Sequence, residues 1–147
     1  MSLGYASGPY KTEELKPSSA FSEGDVLMLD STSSVSGQNV TFASGVDIYG
    51  IAASASTASI NGKVVVILPE QATVFWASLA TNLSSAATPG TDCDLLYGNP
   101  NGGWYVDPTS QNSVRATIFR GTEQIDQSIV SRALVQLIFN AGNIDLS

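Results

Sequence analysis

Three aspartates, Asp92, Asp94 and Asp107, have a spacing that could support chemistry. Asp92 and Asp94 flank the first residue of one predicted strand and Asp107 follows the next, so a hairpin at Asn101-Gly102 would bring the three carboxylates together. Carboxylate oxygens are ligands that Ca²⁺ prefers. The spacing matches no EF-hand loop, however, and aspartates at strand edges commonly face solvent. A solvated face is the favoured interpretation, with a Ca²⁺ site or a small hydrolase as alternatives.

Other reactive groups are scarce. The sequence has no histidine and a single cysteine, Cys93, which has no evident base to activate it and is expected to be a buried thiol. Without histidine or paired cysteines, a zinc site is implausible. Asp25, Asp30 and Asp47 are most simply turn residues beside strands. We therefore expect no catalytic residue, no metal and no cofactor.

Four aromatic residues form a second candidate site: Trp76, Tyr97, Trp104 and Tyr105. Such rings stack on sugars or anchor protein contacts. Trp76 lies in a strongly apolar block and is predicted to be core. Trp104 and Tyr105 are consecutive in a predicted strand, so only one ring faces inward and the other is exposed. A protein contact is the favoured role of the exposed ring, and a carbohydrate-binding module or host-surface adhesin is the alternative function.

Composition and charge exclude several partners. Hydrophobic residues make up 43% of the 147 residues and charged residues only 13%, with a net charge of −7; soluble proteins usually carry about 25% charged residues. No basic residue lies between Val64 and Val114. Neither a nucleic-acid backbone nor an anionic membrane is therefore an expected partner. The low charge suits a Ser- and Thr-rich surface that neighbouring chains partly cover.

Residues 1–20 are predicted to be an extended N-terminal arm, because glycines and prolines interrupt any regular pattern there. A neighbouring subunit is the expected support of this arm, with Tyr5, Pro9 and Tyr10 as contact residues. The first residues also lack the basic start and apolar run of a secretory signal. A cytosol-like compartment is expected.

Residues 21–147 are predicted to form one all-β domain, a small barrel or sandwich with a single core. Short apolar or alternating runs separated by Gly, Pro, Asn and Ser are typical of such folds. About nine strands are predicted, enough to close a small barrel. They span residues 26–29, 40–42, 48–52, 64–68, 74–79, 93–97, 104–106, 116–119 and 133–139. Residues 81–88 and 122–128 are too short for ordinary helices and are predicted to be loops.

Two connections and the last strand carry further expectations. Asn101-Gly102 is a strong hairpin signal, because both residues tolerate positive φ. Pro69-Glu70 predicts a turn or a crossing between sheets, since proline interrupts a strand ladder. Residues 132–139 carry apolar side chains on both alternating faces. That strand is therefore central in the fold or packed against another protein.

Several segments together show a recognisable order, in which a G-D-V strand is followed by a G-I-A strand and then by a paired apolar block. The segments are AFSEGDVLMLD (20–30), DIYGIAA (47–53), GKVVVIL (62–68), TVFWA (73–77), DLL (94–96), GWYVD (103–107) and RALVQL (132–137). In strand order and composition they resemble the head decoration, or cement, proteins of tailed bacteriophages. The resemblance covers most of residues 20–139 and transfers no catalytic residue.

The resemblance implies a β-barrel or β-tulip domain with an N-terminal arm, bound to the outside of an icosahedral shell. It implies the major capsid protein as partner and self-association as a trimer or dimer that bridges capsomers. The expected location is the outer capsid surface of a virion assembled in the cytoplasm of a bacterial host. The expected role is to clamp neighbouring capsid subunits and stabilise the shell.

Overall fold

The computed structural model describes residues 3–29, 34–36, 48–56, 62–80, 88–98, 103–112, 114–123 and 132–138. Every regular element in these ranges is a β-strand, so the predicted all-β class is confirmed. The strands are β1 (Gly4–Ser7), β2 (Tyr10–Pro17), β3 (Val26–Leu29), β4 (Ser34–Ser36), β5 (Gly50–Ala52), β6 (Val64–Pro69), β7 (Val74–Leu79), β8 (Asp92–Gly98), β9 (Gly103–Asp107), β10 (Val114–Glu123) and β11 (Arg132–Leu137). Over the same ranges there is no helix long and apolar enough to cross a membrane.

One group of strands closes a small barrel in the order β2-β4-β3-β5-β6. β2 runs antiparallel to β6 over residues 10–15 and meets β4 in parallel at only two register positions. β3 pairs with both β4 and β5, and β5 pairs with β6. The small barrel expected from the short apolar runs is therefore confirmed.

A second sheet has the order β1-β7-β11-β10-β8-β9. β7, the second strand in this order, also pairs in parallel with β9 at its end, so β7, β11, β10, β8 and β9 form a closed ring of pairings. β1 pairs with the same edge of β7 as β9 does, but β1 lies beside the first residues of β7 and β9 beside the last. β11 lies between β7 and β10, which confirms the central position predicted for it.

Side-chain alternation shows why three barrel strands are apolar on both faces. Leu27, Ala52 and Val66 belong to a cluster that only barrel residues build. Their neighbours Val26, Ile51 and Ile67 point the other way, into a larger cluster that includes Phe75, Leu95, Trp104 and Val135 of the second sheet. The two sheets therefore share one core.

The N-terminal segment is a part of this domain and not a detached arm. β1 pairs with β7, and β2 pairs with β6. The backbone of residues 4–17 is extended, as predicted, and β6 and β7 of the same chain pair with it, so its order needs no support from a neighbouring subunit. In the segment from residue 3 to residue 17 only Leu3 and Pro17 are buried. The sequence therefore gives no core-facing pattern by which β1 and β2 could be recognised.

The other strand predictions differ mainly at their ends. The predicted strands at 26–29 and 74–79 coincide with β3 and β7, whereas β10 is longer than the predicted 116–119. Residues 40–42, the turn at 99–102, and residues 81–87, 124–128 and 139 lie outside the described residues. β6 in the barrel leads directly through Pro69-Glu70 to β7 in the second sheet, which confirms the predicted crossing.

Lysine and arginine divide between the two sheets. The lysines all lie in the barrel part of the chain: Lys11 and Lys16 on β2, and Lys63 just before β6. All three lysine side chains are exposed. The arginines all lie on the second sheet, at positions 115 and 120 of β10 and position 132 of β11.

Candidate partner-binding surfaces

β1 and β2 meet at an aromatic corner formed by Tyr5, Pro9 and Tyr10. All three side chains are exposed, 44% for Tyr5 and 42% for Tyr10. The two tyrosine rings meet edge to face with centroids 4.8 Å apart, and Tyr5 meets buried Phe75 in the same way at 6.5 Å. The fold thus brings together three residues that the sequence predicts as contacts.

Hydrogen bonds and one glycine fix the shape of this corner. Gly8 has a φ of +96°, and a Cβ atom there would lie 2.5 Å from the carbonyl oxygen of Ala72. The Tyr5 hydroxyl donates to the Gly8 carbonyl at 2.6 Å. The buried Thr73 hydroxyl donates to the Pro9 carbonyl at 2.5 Å. Because the corner is held in place before any contact is made, a partner orders few groups when it binds.

Trp104 and Tyr105 lie on opposite faces of β9, as predicted. Trp104 is 0% exposed and packs against Tyr97 with ring centroids 5.4 Å apart. Tyr105 is half-buried on the other face. Trp104 is therefore the inward ring of the two, enclosed in the shared core, and its burial is incompatible with the contact role considered for either ring. The same burial removes it as a stacking platform for sugars, and Tyr105 is the ring of the two that reaches the surface.

The prediction that Trp76 is core is also wrong. Its ring is half-buried, and the guanidinium carbon of Arg132 lies 4.2 Å from the ring centroid, a cation–π contact. Leu134 stands directly opposite Trp76 in the pairing of β11 with β7. Ser78 stands opposite both Arg132 and Tyr105. These residues share one side of the second sheet, since directly paired residues point to the same face.

We call this side the outer face; it consists of Trp76, Ser78, Tyr105, Arg132 and Leu134. Trp, Tyr and Arg are the residue types most enriched at protein interfaces. The grouping of these five residues on one surface was not predicted from the sequence. The available signal was alternation: with Phe75, Ala77 and Leu79 inward, Trp76 must point outward.

Asp94 and Asp107 organise the turn that follows β9. Asp94 is 3% exposed, and its Oδ2 accepts hydrogen bonds from the Ser110 hydroxyl at 2.5 Å and the Asn112 amide at 3.2 Å. Asp107 Oδ1 accepts from the amide and hydroxyl of Thr109 at 2.9 and 2.6 Å. Asp94 and Asp107 stand opposite each other in the β8–β9 ladder. Both carboxylates are therefore used to fix the turn.

Asp92 differs from these two aspartates. It is exposed, and its Oδ1 accepts a hydrogen bond from the Thr117 hydroxyl at 3.1 Å. The solvated-face interpretation is thus right for Asp92 and wrong for Asp94. Across the described ranges, no group of three acidic, histidine or cysteine side chains is arranged to hold a metal ion.

Two further predictions concern single polar groups. Cys93 is a buried free thiol, as predicted. Burial, and then the nearby Asp92, Asp107 and Asp94, raise its pKa from 9.0 to about 12. Asp25 is a turn residue, as predicted: it is buried and its carboxylate accepts a 2.8 Å hydrogen bond from the Ser22 amide. The other two predicted turn aspartates, at 30 and 47, lie outside the described residues.

The aromatic corner and the outer face are the two surfaces on which a partner can be argued. Tyr5 alternates with Gly4 along β1, and Gly4 stands opposite Trp76, so the two surfaces lie on opposite sides of the β1–β7 pair. Comparison with known proteins assigns no family to them: the sequence matches no family model and no curated protein.

Proposed function

We propose that this protein is a capsid decoration protein, which binds the outer surface of a bacteriophage head, bridges major capsid protein subunits and stabilises the shell. The observation that carries the proposal is the aromatic corner. Two exposed tyrosines and a proline are held rigidly at the junction of two sheets. Exposed rings in fixed positions are typical anchors of protein contacts.

Bridging requires contact with two neighbours at once. The aromatic corner and the outer face lie on opposite sides of β1 and β7, so each can face a different subunit. When one contact opens, the other keeps the protein near its site at high effective concentration. The likeness of the strand order to phage cement proteins supplies the shell as the partner.

The corner tyrosines contribute part of the energy that such contacts need. An aromatic side chain buries about 150–250 Å² when it is covered. Tyr5 and Tyr10 are 44% and 42% exposed, so less than half of that area remains to be covered. At about 25 cal/mol per Å² of apolar area, the two corner tyrosines together contribute a few kcal/mol before the costs of association are subtracted.

Co-sedimentation with empty expanded shells, assembled from the major capsid protein of the same genome, tests the proposal. The unmodified protein should pellet with shells and raise the temperature at which they break. The double variant Tyr5→Ala/Tyr10→Ala should bind at least about tenfold more weakly, since each 1.4 kcal/mol is a factor of ten. Thr12→Ala, an exposed change on β2, is the matched control and should bind normally. Absence of binding, with shells equally heat-stable with and without the protein, contradicts the proposal.

A further inference from the structure

Residues 3–17 lie along a single continuous groove of the same chain. The ladder begins with Gly4 opposite Trp76 in the second sheet and ends with Leu15 opposite Val64 in the barrel. The edge of β6 and then of β7 thus forms the groove. The segment follows this edge from the second sheet, where β1 pairs with β7, to the barrel, where β2 pairs with β6. In the described residues, β6–β7 and the β1–β2 segment that pairs with it are the consecutive strands that pass from one sheet to the other.

This segment is held mainly by its backbone. Its buried residues, Leu3 and Pro17, stand at its two ends, and the side chains between them are exposed or half-buried. The other edge of β2 adds only two register pairs with β4. By contrast, β11 buries every second side chain and has a strand along each edge. Between the two anchors, the side-chain contacts come from partly exposed residues: Leu15 packs against the barrel cluster, Glu13 accepts a hydrogen bond from Tyr49, and Tyr5 meets Phe75.

The groove requires an extended strand. If the segment left, the edges of β6 and β7 would open beside buried Val64, Val66 and Val74. An open apolar sheet edge pairs readily with another chain. The strand that reproduces every register pair and both end anchors is the same segment of a second copy.

We propose that residues 3–17 exchange between copies of this chain, so that each copy fills its neighbour's groove with its own β1 and β2. Residues 18–20, between buried Pro17 and buried Phe21, form the connection whose conformation would change on exchange. Ser18 is tied there by backbone and hydroxyl hydrogen bonds to the Val35 carbonyl, at 2.9 and 2.8 Å. The monomer, in which the segment fills its own groove, and the exchanged form share all other contacts, so protein concentration sets the balance between them. This exchange requires no shell and stands apart from the proposed function.

Mixed refolding of single-cysteine chains tests the exchange. Glu14 and Val65 are directly opposite in the β2–β6 ladder, close enough for a disulfide. Chains carrying Glu14→Cys are refolded with mass-tagged chains carrying Val65→Cys and then oxidised. A disulfide between the two chains forms only if β2 of one lies beside β6 of the other. Native Cys93 is buried and stays in place.

We expect a mixed covalent dimer whose fraction rises about tenfold for a tenfold higher refolding concentration, while monomer dominates. The control mixture is Thr117→Cys with Gln136→Cys, a pair opposite in the β10–β11 ladder, and it should give no such dimer. If Val65→Cys does not fold, Lys11→Cys with Leu68→Cys probes the same ladder. A dimer yield no higher than that of the control mixture, at every concentration, overturns the proposal.

Discussion

Trp104 shows how far one residue's role depends on the face it occupies. It is the largest fully buried side chain of the described core. Trp104→Ala should lower the free energy of unfolding by about 3–5 kcal/mol, because it removes a large ring and leaves a cavity. Tyr105→Ala, one residue away on the half-buried face, should cost clearly less. Urea unfolding checks this, and equal losses for the two variants would contradict the assigned faces.

Gly8 and Gly90 form a matched pair for separating backbone strain from steric contact. Both have positive φ, +96° and +88°, but a Cβ atom would meet the Ala72 carbonyl only at Gly8. Gly90→Ala should cost about 1–2 kcal/mol from the left-handed backbone alone. Gly8→Ala should cost more and should also loosen the aromatic corner. Thermal unfolding gives the comparison, and a smaller loss for Gly8→Ala would show that the corner can adjust.

The buried thiol makes stability depend on alkaline pH. Cys93 in the fold keeps its proton up to about pH 12, whereas the unperturbed group ionises near 9.0. Between these values the folded state holds more protons than the unfolded state, so the free energy of unfolding falls as pH rises. In Cys93→Ala this fall should be shallower. Urea titrations at neutral pH and at several points above pH 9 check it, and an unchanged slope would argue against the thiol as the cause.

A second group acts in the same alkaline range. Desolvation and the 2.7 Å hydrogen bond that Tyr49 donates to Glu13 raise the pKa of Tyr49 from 10.0 to about 12. Part of the fall in stability should therefore remain in Cys93→Ala. Adding Tyr49→Phe should flatten the profile further.

At the scale of elements, the strands that carry runs of buried apolar side chains were predictable from the sequence, and the strands without such runs were not. β3 and β7 match their predicted bounds because apolar runs mark them. β1, β2 and the short β4 were missed, since backbone pairing places them and their side chains leave little pattern. Three members of the candidate site, Tyr5, Pro9 and Tyr10, were named from sequence. Their proximity depends on a long-range pairing that no local pattern reveals.

The turn between β6 and β7 is the element that should respond most to loss of one hydroxyl. Thr73 accepts a hydrogen bond from the Glu70 amide at 2.8 Å and donates to the Pro9 carbonyl. Thr73→Val keeps the shape but removes both hydrogen bonds, which should cost about 1–3 kcal/mol in total at about 0.5–1.5 kcal/mol each. Thr109→Val, which removes an exposed hydroxyl bonded to Asp107, should cost less. Equal losses in urea unfolding would count against the role of this turn as a support.

At the scale of the whole molecule, the shared core should make the two sheets unfold together. Ile51 of the barrel packs in the cluster that contains Phe75 and Trp104 of the second sheet. Ile51→Ala should lower the free energy of unfolding by about 2–5 kcal/mol. The transition should remain single and coincide for tryptophan fluorescence and far-ultraviolet circular dichroism. Two separate transitions would show that barrel and sheet are independent units.

Because lysine and arginine lie in different sheets, amine-reactive reagents distinguish the two sheets. Primary amines on side chains occur only in the barrel part, at positions 11, 16 and 63, and all are accessible. An amine-reactive bead, biotin or dye therefore attaches on that side and leaves Trp76 and Arg132 unmodified. Protein immobilised through these groups would be attached by β2 or by the start of β6.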